Sequence, residues 1–568
     1  MEATPETQPI RSIKIQALFY EWGARLVALL TILMGIINVT SALTPALEER
    51  FAVLVNLLPL EVRAGSRFTS ILGGFALLLL ASGLWRKKRM SWLLTLLALT
   101  ISLITHLFKG LDYEEASFAF GIILLLILLR NHFKAYSDRP SIKKGLAVLL
   151  FSFLFTLVYG TLGFFLLDKH FKVNFGLLDA VRQTFIMFTS FYNPGLEPVT
   201  QHSKFFAFSI YLVGAITLGY SLLMLIRPVL VRDPSTLEER KKAAEIIEKY
   251  GKSALARAAL FEDKSYFFSP GGSVIAFGAR GRCAMALGDP FGPDEDAGNA
   301  IRLFAAFCAQ NDWKPSFVSV LPDHLEDYRQ AGFEVVALGN EAIVELQDFT
   351  LEGSHSKNIR NEVNRISRMG FTAVVHSPPL DPDLLHQLRQ ISDAWLTIQH
   401  GGEMHFSDGW FTEDYMREGP VAVVNDASGN PVAFANLVAE YAKNEITIDL
   451  MRRYPKVERG TMEFLFVTML NWAKERGYDT FSLGLSAIVG VGEKPEDPSM
   501  EKTLHTIAEY VSRFFNFKGL HTFKEKFSPR WEPRYLVFPG AADLPIILTT
   551  MLRLHAGDNF LWKYFKKQ

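Results

Sequence analysis

The chain has 568 residues with 59 basic and 59 acidic side chains, so it carries no global basic field that would advertise a nucleic-acid partner; any such binding has to come from local patches. A hydrophobic content of 49% is too apolar for an ordinary soluble protein of this length, which itself predicts more than one domain. The two cysteines, Cys283 and Cys308, stand outside any C-x-x-C or Cys/His cluster, which argues against a disulfide or a structural zinc.

Residues 1–23 read as a cytosolic tail, and because 1–21 lack a short apolar core and a small-residue cleavage site, no cleavable signal peptide is expected. Six apolar runs follow, at 24–43, 68–85, 91–108, 117–129, 145–167 and 205–226, and are read as spans of a hydrocarbon core about 30 Å thick. Residues 177–190 are too short and too polar for a seventh. The basic loops lie at 86–89, 130–144 and 227–242. They alternate with loops that are acidic or mixed, among them 109–116 with Asp112, Glu114 and Glu115, which read as loop charges. Basic loops stay cytoplasmic, so 24–226 form a transmembrane bundle, 227–240 a linker, and the rest of the chain is expected in the cytosol.

Residues 241–540 alternate helical and strand-like segments in an order that repeats once. The first half has a helix at 299–312, a strand at 316–321, a helix at 324–330 and a strand at 331–336. The second has a hairpin at 431–441 and 445–450, an amphipathic helix at 461–475 and a strand at 480–485. Gly332 and Gly477 each sit where a left-handed cap would end a helix ahead of an aromatic residue and a strand. The pattern suggests two mixed-sheet units of about 150 residues, in the order found in acyltransferases of the N-acetyltransferase type. Between them, Lys357, Arg360, Asn361, Asn364 and Arg368 share one helical face, with Arg365 in the same run. Such a stripe grips phosphates or is simply solvated.

Asp449 and Arg452 close a strand, where a carboxylate and a guanidinium bind an ammonium and a phosphate or carboxyl oxygen, or form an ordinary ion pair. His400 and His405 flank Glu403, but no further ligand follows at helical spacing and no metal is expected. Residues 514–535 interleave Phe, Trp and Tyr with Lys518, Lys524, Lys526 and Arg534. This suits stacking and phosphate contacts with a single-stranded nucleic-acid end, or a closing strand and turn with snorkelling lysines. Residues 541–568 read as an amphipathic helix that lies on the bilayer or packs on the domain.

The strings Asp449-Leu450-Met451-Arg452, 460–466, 481–486, 515–520, 523–527 and 531–536, together with 109–115 among the spans, resemble the phosphatidylglycerol lysyltransferase family, also called multiple peptide resistance factors. The resemblance covers nearly the whole chain. It implies a membrane helical bundle followed by a tandem acetyltransferase-like (GNAT-type) α/β domain on the cytosolic face of the bacterial inner membrane. It implies transfer of an aminoacyl group, lysyl or alanyl, from aminoacyl-tRNA to a glycerol hydroxyl of phosphatidylglycerol, without cofactor or metal. The consequence would be an altered membrane surface charge and resistance to cationic peptides. Aminoacyl-tRNA, phosphatidylglycerol and the lipid bilayer are the implied partners, and a homo-oligomer is left open. Longer members carry an additional N-terminal flippase bundle. The chain resembles a short form, which leaves open whether it flips its product, and with no fused tRNA synthetase domain charged tRNA is expected to be supplied by the cell.

By the family pattern, Asp449 and Arg452 position and polarise substrate, and Lys524 stabilises a phosphate or oxyanion. Glu463 and Glu403 are candidates for the donor amino group, Lys526 and Arg534 for substrate contacts, and Lys357, Arg360, Arg365 and Lys518 for tRNA phosphates. The amino acid and the general base stay open. An acyl-CoA-dependent enzyme of the same fold is disfavoured. Its pyrophosphate loop takes the form [Gln/Arg]-x-x-Gly-x-[Gly/Ala], whereas Val457 and Met462 stand at the ends here. An inactive membrane-anchored binding protein is the third reading; the joint presence of Asp449, Arg452 and Lys524 argues against it.

Overall fold

The computed structural model describes residues 10–43, 60–110, 112–133, 176–190, 235–487 except 254, 355, 399–402 and 440, residues 517–557, and scattered positions between 135 and 224. The chain divides into two compact units near Val229.

The first unit contains α1 (Ile10–Leu43), α2 (Leu60–Trp85), α3 (Arg89–Gly110), α4 (Tyr113–Leu128) and α5 (Leu177–Ser190). Ala24, Val27, Ala28, Leu77, Leu84, Leu99, Ala119 and Ile122 pack into its core, while Leu26, Leu29, Leu33, Leu97 and Phe120 face outward. Helices apolar on both faces suit a lipid surround. Backbones approach closely where α1 meets α2: a Cβ added at Gly35 would lie 3.0 Å from the Gly74 carbonyl oxygen, the use small residues find between membrane helices. Among the described residues, two segments are long and apolar enough to cross a membrane, Trp22–Ser41 and Arg89–Leu107, and Gly73–Trp85 is a shorter apolar helix. Six spans were expected. Those at 68–85 and 117–129 fall on α2 and α4, and those at 145–167 and 205–226 lie largely outside the described residues.

The second unit is built on one eleven-stranded sheet. Its strands are β1 (Ser265–Phe268), β2 (Val274–Arg280), β3 (Cys283–Leu287), β4 (Lys314–Val320), β5 (Glu334–Glu345), β6 (Thr372–His376), β7 (Val421–Asn425), β8 (Pro431–Ala439), β9 (Glu445–Arg453), β10 (Thr480–Ala487) and β11 (Arg530–Phe538). The helices are α6 (Leu237–Tyr250), α7 (Asp294–Gln310), α8 (Leu325–Gln330), α9 (Lys357–Arg368), α10 (Pro382–Ile398), α11 (Glu413–Arg417), α12 (Thr461–Glu475), α13 (Phe517–Glu525) and α14 (Leu544–Ala556).

Apart from the additional edge strand β6, the spatial order β1-β2-β3-β4-β11-β5-β10-β9-β8-β7-β6 reads the same way from both ends once β11 and β5 are exchanged. The two halves that the sequence suggested are therefore interlocked: each donates its last strand between two strands of the other. Each half has one parallel pair, β3 with β4 and β9 with β10, joined by the crossover helices α7 and α12. Just beyond the paired stretch each has a left-handed residue at a register shift, Ser319 (φ 60°) in β4 and Gly484 (φ 82°) in β10. In the second half, β9 and β10 pair through 445–447 and 480–482 alone and then diverge.

The cap glycines are left-handed, with φ 86° at Gly332 and 80° at Gly477, and each is followed by an N–H bonded back into the helix, Phe333 to Tyr328 and Tyr478 to Ala473. Helix α7 starts at Asp294, five residues before the predicted 299, behind the acidic first turn Asp294, Glu295 and Asp296, which suits a helix N-terminus. The segment around 517–527 is a correction. It forms a helix, α13, rather than a strand, and its rings pack inward: Phe523 and Phe527 on Phe466 at 5.1 and 5.3 Å, and Trp531 on His521 at 4.3 Å. Phe527 is buried in the core, and Phe523 and Trp531 are partly buried against it. Helix α14 buries Leu544, Ile547 and Thr550 and packs on β2 and β3. Residues beyond 557 lie outside the described part.

Candidate active site

The opening between β9 and β10 leads into a cavity of about 790 Å³. Its polar part is lined by Glu341, Asp408, Asp449, Lys524 and Arg534, and its apolar part by Leu255, Ala258, Phe261, Val318, Leu338, Met551 and Leu552. That volume admits a large ligand, with a few polar groups to orient it.

Asp449 reaches the cavity through a bulge. Ala435 faces Met451 and Leu437 faces Ile448, so Asp449 and Leu450 together oppose the single Asn436, whose Oδ1 accepts from Leu450 N at 2.7 Å. Three residues along a regular strand would put Asp449 and Arg452 on opposite faces; the extra residue lets both reach the loop between α10 and α11. Gly409 N donates to Asp449 at 2.9 Å, and Tyr415 Oη donates to the same carboxylate. A Cβ at Gly409 would collide with that carboxylate and with the Tyr415 ring. Burial pushes the Asp449 carboxyl up to about 6, although the Gly409 and Tyr415 bonds and the Arg452 charge oppose it. The same burial, with the adjacent carboxylate, drives the Tyr415 phenol upward and keeps it a donor.

Arg452 is buried but is not part of the cavity lining. It bonds Ser392 of α10, pairs with Glu403 at 2.7 Å and lies 5.5 Å from the Trp395 ring centre. Glu403 in turn accepts from Phe411 N at 2.7 Å. Asp449 and Arg452 thus clamp the two ends of the loop 403–411, and Glu403 belongs to that clamp. His400, considered above as a metal ligand beside Glu403 and His405, lies outside the described residues. Arg452→Met is expected to destabilise the domain by on the order of 3 kcal/mol, because a partly buried carboxylate loses its partner. Thermal unfolding of the detergent-solubilised chain would show this, with much of the loss recovered in the Arg452→Met, Glu403→Gln pair.

Lys524, on α13, is buried and donates to the carbonyls of Gly484 (3.0 Å) and Leu485 (2.9 Å). The left-handed turn at Gly484 helps aim those carbonyls at α13, and an ammonium with three donors keeps one N–H without a partner among the described residues. Burial lowers its pKa to about 8, against the pull of Glu341 and Asp408. Arg534 is also buried, paired with Glu341 at 2.5 Å and Glu532 at 3.1 Å. Burial works against its charge, but the two carboxylates outweigh it and hold it protonated. Glu341 further accepts from Ser482 Oγ.

The remaining predicted residues lie apart from the cavity lining. Lys526 and Glu463 pair with each other at 2.8 Å at the surface. Arg360 donates to the carbonyls of Leu351 and Gly353, and Arg365 to Glu362 and to the Arg459 carbonyl, so both brace α9. Lys357 and Arg368 are exposed on that helix. Lys518 falls on α13, its side chain outside the described part. Sequence reading missed Glu341, Asp408 and Tyr415, which reach the cavity from other elements, and Gly409, which bonds Asp449; none carries a motif of its own.

At the start of α12, where a nucleotide-type pyrophosphate would sit on a helix N-terminus, Gly460 has φ 85°. A Cβ there would lie 2.9 Å from Glu362 Oε2, and Glu362 also pairs with Arg459 at 3.0 Å. A carboxylate occupies the position.

Two interlocked halves of one mixed sheet, each with a parallel pair, and a cavity entered where the second pair splays, define a tandem acetyltransferase-like domain. The model of the C-terminal domain of phosphatidylglycerol lysyltransferases matches residues 244–538, and the chain belongs to that family. Phosphatidylglycerol lysyltransferase of Bacillus subtilis is 28% identical over 490 residues, 85% of this chain and 54% of its own length. That of Staphylococcus epidermidis is 32% identical over 294 residues, 52% of this chain and 35% of its own. The chain thus spans between about a third and a half of the curated relatives it matches. Among solved structures, the C-terminal domain of a lysylphosphatidylglycerol synthetase from Agrobacterium fabrum superposes with a TM-score of 0.52 at 35% identity, covering 57% of this chain and 98% of that one. L-PGS from Bacillus licheniformis gives 0.50 at 34%, covering 55% and 95%.

Proposed function

We propose that the protein transfers an aminoacyl group, lysyl or alanyl, from aminoacyl-tRNA to a glycerol hydroxyl of phosphatidylglycerol at the cytosolic face of a bacterial inner membrane. The observation that carries this is a cavity lined by a carboxylate, Asp449, a buried ammonium, Lys524, and apolar side chains, in a chain of this family. The lipid hydroxyl attacks the ester carbonyl, the ribose oxygen leaves, and the proton lost by the first alcohol ends on the second. Ester replaces ester, so neither ATP nor a redox partner is needed. Asp449 receives the donor's α-ammonium, Lys524 the developing oxyanion or the lipid phosphate, and the apolar wall the acyl chains. Arg452 and Glu403 act by holding the loop that presents Gly409 to Asp449 and leads into α11 with Tyr415. A CoA donor fits poorly, because Glu362, held by Arg365 and Arg459, fills the place at the start of α12 that a pyrophosphate would take.

The test supplies phosphatidylglycerol vesicles, the full chain and tRNA charged with each of several labelled amino acids. Label entering a phosphatidylglycerol-derived lipid, and lost on ribonuclease treatment, supports the reading and names the amino acid. Label absent with every charged tRNA overturns it. For the tRNA contact, the exposed Lys357 and Arg368 are the groups to change. The Lys357→Ala, Arg368→Ala pair is expected to weaken tRNA binding and to reduce the slope of log affinity against log salt by about 0.7–0.9 per charge removed. Fluorescence titration across salt concentrations would measure this.

A further inference from the structure

The first unit holds a polar cluster inside its apolar helices. His106, near the end of α3, is fully buried. Its Nε2 lies 2.8 Å from Asn38 Oδ1 of α1. A carbonyl oxygen accepts and cannot donate, so Nε2 carries the proton, and in the neutral ring Nδ1 presents its lone pair. Asn38 is buried as well and is held in place by Ser102: Nδ2 donates to Ser102 Oγ at 2.8 Å, and that hydroxyl lies 3.0 Å from Oδ1. This is the outer-shell arrangement that fixes a ligand histidine's tautomer and ring plane.

Nδ1 itself has no hydrogen-bond partner, and it faces Asp112 Oδ2 at 3.8 Å. Asp112 N also donates to the His106 carbonyl at 3.2 Å. Glu115 follows in the first turn of α4. Its carboxylate, that of Asp112 and the imidazole of His106 each offer one ligand atom, and the three atoms lie within 4.8 Å of one another. A buried lone pair aimed at carboxylates is unfavourable alone and favourable around a cation.

We propose that His106, Asp112 and Glu115 form a binding site for one divalent transition-metal ion of the zinc class, oriented by Asn38. One imidazole with two carboxylates suits such an ion, whereas calcium and magnesium take oxygen ligands. Three protein ligands leave the fourth position to water or an anionic oxygen. Zinc at about 2.0 Å from each ligand needs ligand atoms about 3.3 Å apart, so the trio closes by up to about 1.5 Å around it. The site is independent of the transferase reading and gives a function to charges that sequence alone reads as a polar loop.

The test uses the full chain in detergent, tag removed, stripped with a chelator, equilibrated with Zn²⁺ and desalted. One zinc retained per chain is the expected result, and Co²⁺ in its place should give the visible absorption of a four-coordinate nitrogen and oxygen site. His106→Gln and Glu115→Gln should each lose both signals while eluting as the wild type does on gel filtration. Asn38→Ala should weaken zinc affinity by about tenfold or more. Should a variant aggregate, the wild-type Co²⁺ spectrum decides, because it reads the ligand atoms directly. A wild-type chain that retains no zinc overturns the proposal and leaves His106 as a buried polar contact of Asn38. Variants that retain zinc as the wild type does overturn it too.

Discussion

Lys524→Met is expected to lower kcat for aminoacyl transfer by about 10²–10³-fold, the usual loss when one preorganised donor to a developing oxyanion is removed. Methionine keeps much of the length and packing of the lysine stem, so α13 can hold its place on Phe466. Two carbonyls, at Gly484 and Leu485, would lose their donor, at about 1–3 kcal/mol each if nothing replaces it. The thermal midpoint therefore has to be measured beside the kinetics. A fall in kcat with an unchanged donor KM and a folded protein fits transition-state stabilisation. A rise in KM alone would move Lys524 to ground-state binding of the lipid phosphate. Because burial brings its pKa down to about 8, the cation is present below that pH and lost above it. Transfer by the wild type is expected to decline as pH rises through about 8.

Asp449→Asn is expected to reduce kcat/KM for the aminoacyl donor by about 100-fold, on the scale of a lost charge-assisted contact of 1.5–3 kcal/mol. Asparagine can still accept from Gly409 N and Tyr415 Oη, so the loop 403–411 should stay in place and the loss should reflect charge. The carboxyl, raised to about 6 by burial, ionises above that pH and is neutral below it. Activity of the wild type should therefore climb as pH passes through about 6 and fall near 8, a bell whose limbs report the free enzyme when kcat/KM is plotted. The acid limb should vanish in Asp449→Asn and the alkaline limb in the residual activity of Lys524→Met. A flat wild-type profile between pH 5 and 9, or limbs unmoved by these substitutions, would detach both residues from the chemistry.

The elements legible in the sequence were those whose signals are local. Helix α12 was read to the residue, Thr461–Glu475, because its amphipathic pattern and the cap glycine Gly477 agree. The hairpin of β8 and β9 came from period-two alternation. Helix α13 was misread although Leu520, Phe523, Lys524 and Phe527 already recur at helical spacing. The density of aromatic residues was taken for strand propensity, which is a weaker signal than period. Asp449 and Lys524 could be singled out by family resemblance, but their setting could not. Whether Asp449 and Arg452 share a face depends on one extra residue in β9, and a bulge has no local signature in Ile448-Asp449-Leu450.

The sequence by itself determined that an apolar helical part precedes an α/β part built twice, since composition, charge alternation and hydrophobic period are properties of the chain read in order. It also determined the family, through strings of residues kept together. Tertiary structure decided which charges can act. Asp449 and Lys524 lie 75 positions apart yet line one cavity, whereas Arg452, three residues from Asp449, is spent on holding a loop, and Arg360 and Arg365 on bracing a helix. Burial raises one pKa and lowers the other, and burial belongs to the packed chain. It is set by strands exchanged between halves and by loops closing over them, contacts between residues too far apart in sequence for any pattern along the chain to record.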